Sequence, residues 1–177
     1  MTADYVSPLP QARVFDLVDE AATLALGGAL AHTLQPGLRI YLSGDLGAGK
    51  TTLVRGLLRG LGYAGRVKSP TYTLLETYDV SSLYLYHFDF YRFANADDWR
   101  DAGFVDEFGG SGVCLVEWPE RTGSALPAPD VTIDLCGTRQ GGRVAQLRAL
   151  SEPGARCLAC LKFEPPAPAQ APPAPGA

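Results

Sequence analysis

The strongest chemical signal in the chain is one short stretch, in which Gly44, Gly49, Lys50 and Thr51 satisfy the spacing G-x-x-x-x-G-K-[ST]. Glycines let successive backbone N–H groups turn inward onto phosphate oxygens, and a helix opening directly after the loop adds the positive end of its dipole. A lysine at this place carries a mobile positive charge to the β and γ phosphates. The threonine hydroxyl suits Mg²⁺, a cation that takes oxygen ligands and keeps several waters. The pattern therefore points to a nucleoside triphosphate bound with Mg²⁺. Such a site also needs an acid across the metal, normally where a neighbouring apolar strand ends. Asp89, after 83–88, and Glu117, after 113–116, both qualify. One carboxylate would hold the cation while the other orients attacking water, and the spacing leaves the two roles unassigned. His87 precedes Asp89 by two residues and so shares its strand face; it reads either as packing or as part of the site. Arg55 and Arg59, one helical turn apart, read equally as a docking surface and as an exposed polar face.

The elements that must position these groups can be traced along the chain. Residues 11–16 read as a strand, and Asp19 and Glu20 then open a helix whose apolar stripe runs through Ala22, Leu26, Ala29, Leu30 and Leu34 to Pro36-Gly37. Leu38, Ile40 and Leu42 alternate with Arg39, Tyr41 and Ser43 as a strand into the glycine loop, and Leu53, Val54, Leu57, Leu58 and Leu61 mark one face of the helix leaving it. Strand, glycine loop and helix is the context the phosphate motif requires. Further on, Pro70 biases Ser69 toward a loop, and 71–78 and 83–90 read as a hairpin. Asn95 reads as the N-cap of a short acidic helix, and strands are expected at 113–116, 131–135 and 143–150.

Composition bounds the function. The chain has 177 residues, 46% of them hydrophobic and 19% charged, and fits one ordinary globular domain. A formal net charge of −4 argues against unaided nucleic-acid binding through a broad basic surface. Six of the 14 prolines fall in the last 13 residues, an uncharged Pro/Ala stretch that reads as a disordered tail. Residues 1–10 offer neither a basic start nor an apolar run, and no stretch approaches the ~18 apolar residues of a membrane span. A cytoplasmic protein with reduced thiols and no membrane partner is expected. Cys157-x-x-Cys160 lacks the second ligand pair that a zinc site needs and reads as part of a short terminal helix.

Four blocks, in order, resemble the bacterial TsaE (YjeE) ATPases: Gly-Asp-Leu-Gly-Ala-Gly-Lys-Thr-Thr at 44–52, Val-Lys-Ser-Pro-Thr-Tyr-Thr at 67–73, His-Phe-Asp-Phe-Tyr-Arg at 87–92, and Glu-Trp-Pro-Glu at 117–120. The likeness runs from about Asp19 to Arg148, with Phe90 standing where leucine is commoner in the family. It implies a protein that supports formation of threonylcarbamoyladenosine next to the anticodon of tRNA, hydrolysing ATP in complex with the threonylcarbamoyl transferase TsaD and its partner TsaB. The tRNA would be reached only through that complex.

Carried onto this chain, the resemblance implies that Gly44, Gly47, Ala48, Gly49, Lys50, Thr51 and Thr52 bind phosphates and that Thr51 and Glu117 hold Mg²⁺. Asp89 would be needed for hydrolysis. Ser69, Pro70, Thr71 and Tyr72 would form a switch-like loop near the γ phosphate, and Trp118 would lie beside the nucleotide or a partner. Glu20 and Thr23 would contribute around the base, with Gly141, Gly142 and Arg143 approaching late in the chain. The expected fold is α/β: a single P-loop NTPase domain over 11–163, with a mixed central β-sheet flanked by helices, between a flexible 1–10 and a disordered tail at 164–177.

Two other readings compete. A small-molecule P-loop kinase usually carries lid arginines over the phosphates, and 97–112 holds only Arg100. A GTP-binding switch would favour Asn-Lys-x-Asp, whereas Asn95 is followed by Ala96, Asp97 and Asp98.

Overall fold

The computed structural model describes residues 12–165. The expected flexible segment 1–10 lies outside the described residues, as does the Pro/Ala tail from 166 onward. Seven strands, β1 (Ala12–Leu17), β2 (Arg39–Ser43), β3 (Leu75–Val80), β4 (Leu83–Asp89), β5 (Val113–Glu117), β6 (Val131–Gly137) and β7 (Arg143–Ala149), form one sheet. Its order is β1-β7-β6-β2-β5-β4-β3. The four central strands run parallel, and the pairs at both edges are antiparallel, so the sheet is mixed as expected. Parallel central strands are buried on both faces, which is why β5 is apolar throughout until Glu117.

One face carries the helices α1 (Glu20–Ala31), α2 (Lys50–Gly60) and α5 (Glu152–Cys160), packed over Ile40, Leu42, Leu85, Leu115 and Ile133. Asp19 caps α1 by accepting from the Ala22 amide at 2.8 Å. Leu26 and Leu30 are fully buried, while Gly27 lets the backbone of α2 approach closely: a Cβ there would stand 2.2 Å from the Leu53 carbonyl oxygen. Gly56 on α2 returns the contact, since its Cβ would stand 2.2 Å from the Leu24 carbonyl. The two helices thus interlock backbone to backbone, which holds rigidly the helix that starts at the glycine loop.

Among the described residues the opposite face carries no long helix. Tyr41, Phe88, Cys114 and Val116 point into a second core filled by Phe90, Phe93, Trp99 and Phe108 from the segment that includes α3 (Asp98–Asp101) and α4 (Val105–Gly109), and by Leu126 from the loop after β5. Phe88 stacks on Phe108 at 5.0 Å between centroids, and Phe90 on Phe93 at 4.6 Å. Phe90, the family departure, is a fully buried part of this cluster.

Three expectations need correction. The first helix stops at Ala31, with Leu34 beyond it, because the Thr33 amide already turns back to the Leu30 carbonyl. Residues 71–74 are a turn rather than strand: Leu74 takes φ 64 and its amide donates to Pro70 O at 2.6 Å. Asn95 is not the cap of α3, which has Asp97 in that place; instead Asp98 accepts from the amides of Ala94 and Asn95.

Candidate active site

The glycine loop leaves the C-terminal end of β2, where the strand order switches sides, with β6 on one flank and β5 on the other. That is the place where open parallel sheets bind ligands. Gly49 has φ 105, a conformation L side chains rarely adopt, and a Cβ there would strike the Arg143 side chain at 2.9 Å. Gly44, at φ 139, lies so near the Leu135 carbonyl that a Cβ would stand 2.3 Å from its oxygen. Helix α2 begins with no side-chain cap and no acid in its first turn. Its first amides and its dipole are therefore available to an anion.

Beside this loop lies a cleft of about 300 Å³. It is lined by Gly47, Gly49, Lys50, Thr51 and Thr52 of the loop and α2, by Glu20 at the start of α1, by Ser69 and Thr71, and by Asp89, Glu117 and Trp118 at the strand ends. Leu46, Tyr91 and Arg143 complete it.

Lys50 donates to the carbonyls of Gly44 at 2.5 Å and Asp45 at 3.0 Å, with its Nζ 3.8 Å from the centre of the Trp118 ring. Burial pushes its ammonium below the usual lysine value, while Glu117, Glu120, Asp89 and Asp45 pull it back up. Trp118 reaches this position through a left-handed backbone, φ 60 and ψ 46. Pro119 follows it, and a residue before proline avoids the right-handed helical region. The indole also rests against Tyr91 at 5.0 Å.

The two strand-end acids are register partners on adjacent parallel strands and are both buried. Their environments differ. Glu117 Oε1 accepts from the Thr51 hydroxyl at 2.8 Å and contacts His87 Nε2 at 2.8 Å. Asp89 Oδ2 accepts from Thr71 at 2.7 Å and from Ser69, and its Oδ1 accepts from the Tyr91 amide at 2.9 Å. The loop after α2 is thus tied to one acid, and the first turn of α2 to the other.

Other residues expected here divide. Thr23 is fully buried behind the cleft, accepting from Arg143 at 3.1 Å. Gly44 and Ala48 shape the loop without lining the cleft, and Pro70 is buried beneath its own turn. Tyr72 projects into solvent at 84% exposure with the Arg92 guanidinium 4.2 Å from its ring centre. Gly141, at φ 88, sits in the turn before β7 and does not line the cleft, whereas Arg143 does. Tyr91 lines the cleft although the sequence marked it only as part of the block at 87–92, with no role, and His87 carried only that block and its two-residue spacing from Asp89.

A hydroxyl and two carboxylates in one cleft suit a hard cation such as Mg²⁺. Among the described residues no three His, Cys, Asp or Glu side chains gather into a metal cage. The donors present therefore fit a cation held by one or two protein oxygens, with phosphates and water as the remaining ligands. Cys157 is buried against the Thr33 hydroxyl at 3.1 Å, and Cys160 is exposed.

Sheet order, glycine loop and strand-end acids together define a P-loop NTPase domain. The family described as threonylcarbamoyl adenosine biosynthesis protein TsaE matches residues 17–145. The chain belongs to the TsaE family, whose members take part in the biosynthesis of threonylcarbamoyladenosine in tRNA. The tRNA threonylcarbamoyladenosine biosynthesis protein TsaE of Haemophilus influenzae is 43% identical over 122 residues, 66% of this chain and 77% of that one. Its counterpart in Treponema pallidum is 43% identical over 121 residues, 68% of this chain and 89% of that one. The crystal structure of Bacillus subtilis YdiB is similar with a TM-score of 0.75 at 30% identity, over 88% of this chain and 97% of that chain.

Proposed function

We propose that this chain is an Mg²⁺-dependent ATPase required for threonylcarbamoyladenosine modification of tRNA, hydrolysing ATP in complex with the transferase TsaD and its partner TsaB. The observation that carries this reading is the cleft itself, where Lys50, the Thr51–Glu117 pair and Asp89 converge at the opening of α2. The loop amides and Lys50 would hold the phosphates. Thr51 and Glu117 would hold Mg²⁺, which when bound neutralises charge on the phosphate oxygens. Asp89, fixed by three donors, would accept a hydrogen bond from water and aim it at the phosphate. Glu20 and Arg143 also line the cleft, and they would face the nucleoside.

Hydrolysis is favoured over transfer to a small molecule by the place of Arg100. It pairs with Asp97 and donates to the Ala125 carbonyl, outside the cleft, so no arginine of 97–112 covers the phosphates. A protein of net charge −4 also suits a role in which partners carry the tRNA. Among the described residues no helix is long and apolar enough to cross a membrane.

Phosphate release from ATP, followed with and without purified TsaD and TsaB, tests the reading. Release that rises when both partners are present is expected. Release that depends instead on an added small-molecule acceptor would turn the assignment to a kinase.

A further inference from the structure

His87 lies on β4 at a place where an aliphatic side chain would pack as well. Leu85 precedes it on the same face and Leu115 is its register partner on β5, and both are fully buried. The imidazole is itself without exposure, and its Nδ1 is buried with no hydrogen-bond partner among the described residues. Leaving a buried polar atom unmet opposes folding, so packing alone does not account for histidine here.

The other nitrogen points to the reason. Parallel register sets Glu117 beside Asp89, one residue pair beyond the row of His87 and Leu115 on this face. Yet Oε1 of Glu117 turns back along the strand to within 2.8 Å of His87 Nε2. An ionised carboxylate only accepts, so in this contact Nε2 carries a proton and donates. The same Oε1 accepts from Thr51 at 2.8 Å, and within the described contacts no donor goes to Oε2.

We propose that His87 is a positioning residue for the metal site: its Nε2–H, with the Thr51 hydroxyl, pins Oε1 of Glu117 and so orients the carboxylate toward the cation. This inference rests on the Mg²⁺-ATP reading above. Removing a partner that orients a metal ligand typically weakens metal affinity by about 10- to 100-fold, and that scale sets the expectation.

The test titrates Mg²⁺ against ATP binding by calorimetry, with a parallel measurement of ATP binding in EDTA, on the full chain and three variants. His87→Leu removes the donor, His87→Asn holds its amide too short to reach Glu117, and His87→Gln keeps a donor near the Nε2 place. In His87→Leu and His87→Asn the half-saturating Mg²⁺ concentration should rise about tenfold or more, while ATP binding in EDTA stays within about twofold of the unchanged chain. His87→Gln should return the Mg²⁺ requirement to within about threefold. If His87→Leu fails to fold, the contrast between His87→Gln and His87→Asn decides on the same terms. An unchanged Mg²⁺ requirement in the variants, an equal loss with and without the metal, or a His87→Gln as impaired as His87→Asn would each overturn the positioning role. ATP binding by the unchanged chain that ignores Mg²⁺ would overturn the ATPase reading along with it.

Discussion

Lys50 stands at the point where burial and chemistry oppose each other. Its ammonium is nearly enclosed, which lowers its pKa, and it is retained as a cation by surrounding carboxylates, two loop carbonyls and the face of Trp118. A phosphate would replace the loop carbonyls as its partner. Hydrogen bonds to charged groups contribute roughly 1.5–3 kcal/mol, so Lys50→Ala should weaken ATP binding by about 10- to 150-fold in titration calorimetry. Glu117→Ala should lose hydrolysis with a smaller loss of affinity, because phosphate contacts survive it. Normal turnover of both variants beside the partner proteins would refute these assignments. Most of the cleft was legible at this scale, since Gly44 to Thr51 and the strand-end acids follow from spacing along the chain. The pairing of His87 with Glu117 was not, because the partners are 30 positions apart and meet only through the order of the strands.

Between α1 and α2 two adjacent glycines play opposite parts. Gly27 faces the backbone of Leu53 and Leu57 at distances no Cβ tolerates, whereas a Cβ on Gly28 would meet only the Gly56 carbonyl at an ordinary 3.8 Å. Gly27→Ala should therefore destabilise the fold by about 1–3 kcal/mol through overpacking. Gly28→Ala should stabilise it by roughly 0.5–1 kcal/mol, because alanine loses less backbone entropy in a helix. Urea unfolding of the two variants checks the sign of each, and similar midpoints would refute the interlocked packing. The helix pattern in the sequence marked both segments but not which small residue faced the other helix. The turn at 71–74 escaped for a related reason. Its Thr-Tyr-Thr-Leu alternation imitates a strand, yet the hydroxyls of Ser69 and Thr71 turn inward to Asp89 and Leu74 takes a left-handed backbone, so pairing starts only at Leu75.

Across the whole molecule, burial divides the four cysteines into two pairs. Cys114 lies in the aromatic core, where burial pushes its thiol up to about 12, and Cys157 is buried and likewise raised. Cys136 and Cys160 are exposed. Since the thiolate is the reactive form, a thiol reagent near pH 8 should modify Cys136 and Cys160 within minutes and reach the other two only in denaturant. Mass spectrometry of the digested protein reads the outcome, and early labelling of Cys114 would contradict the second core. What the sequence by itself determined was local: the phosphate loop, the helix it opens, the apolar strands and their terminal acids, all set by spacing within a few residues. Only the tertiary structure decided the strand order, which brings Arg143 against Gly49, sets Glu117 within reach of Thr51 and His87, and lays Trp118 over Lys50. The reason is physical. Local periodicity says which face of an element is apolar, whereas the choice among partners for that face depends on packing between segments far apart in the chain.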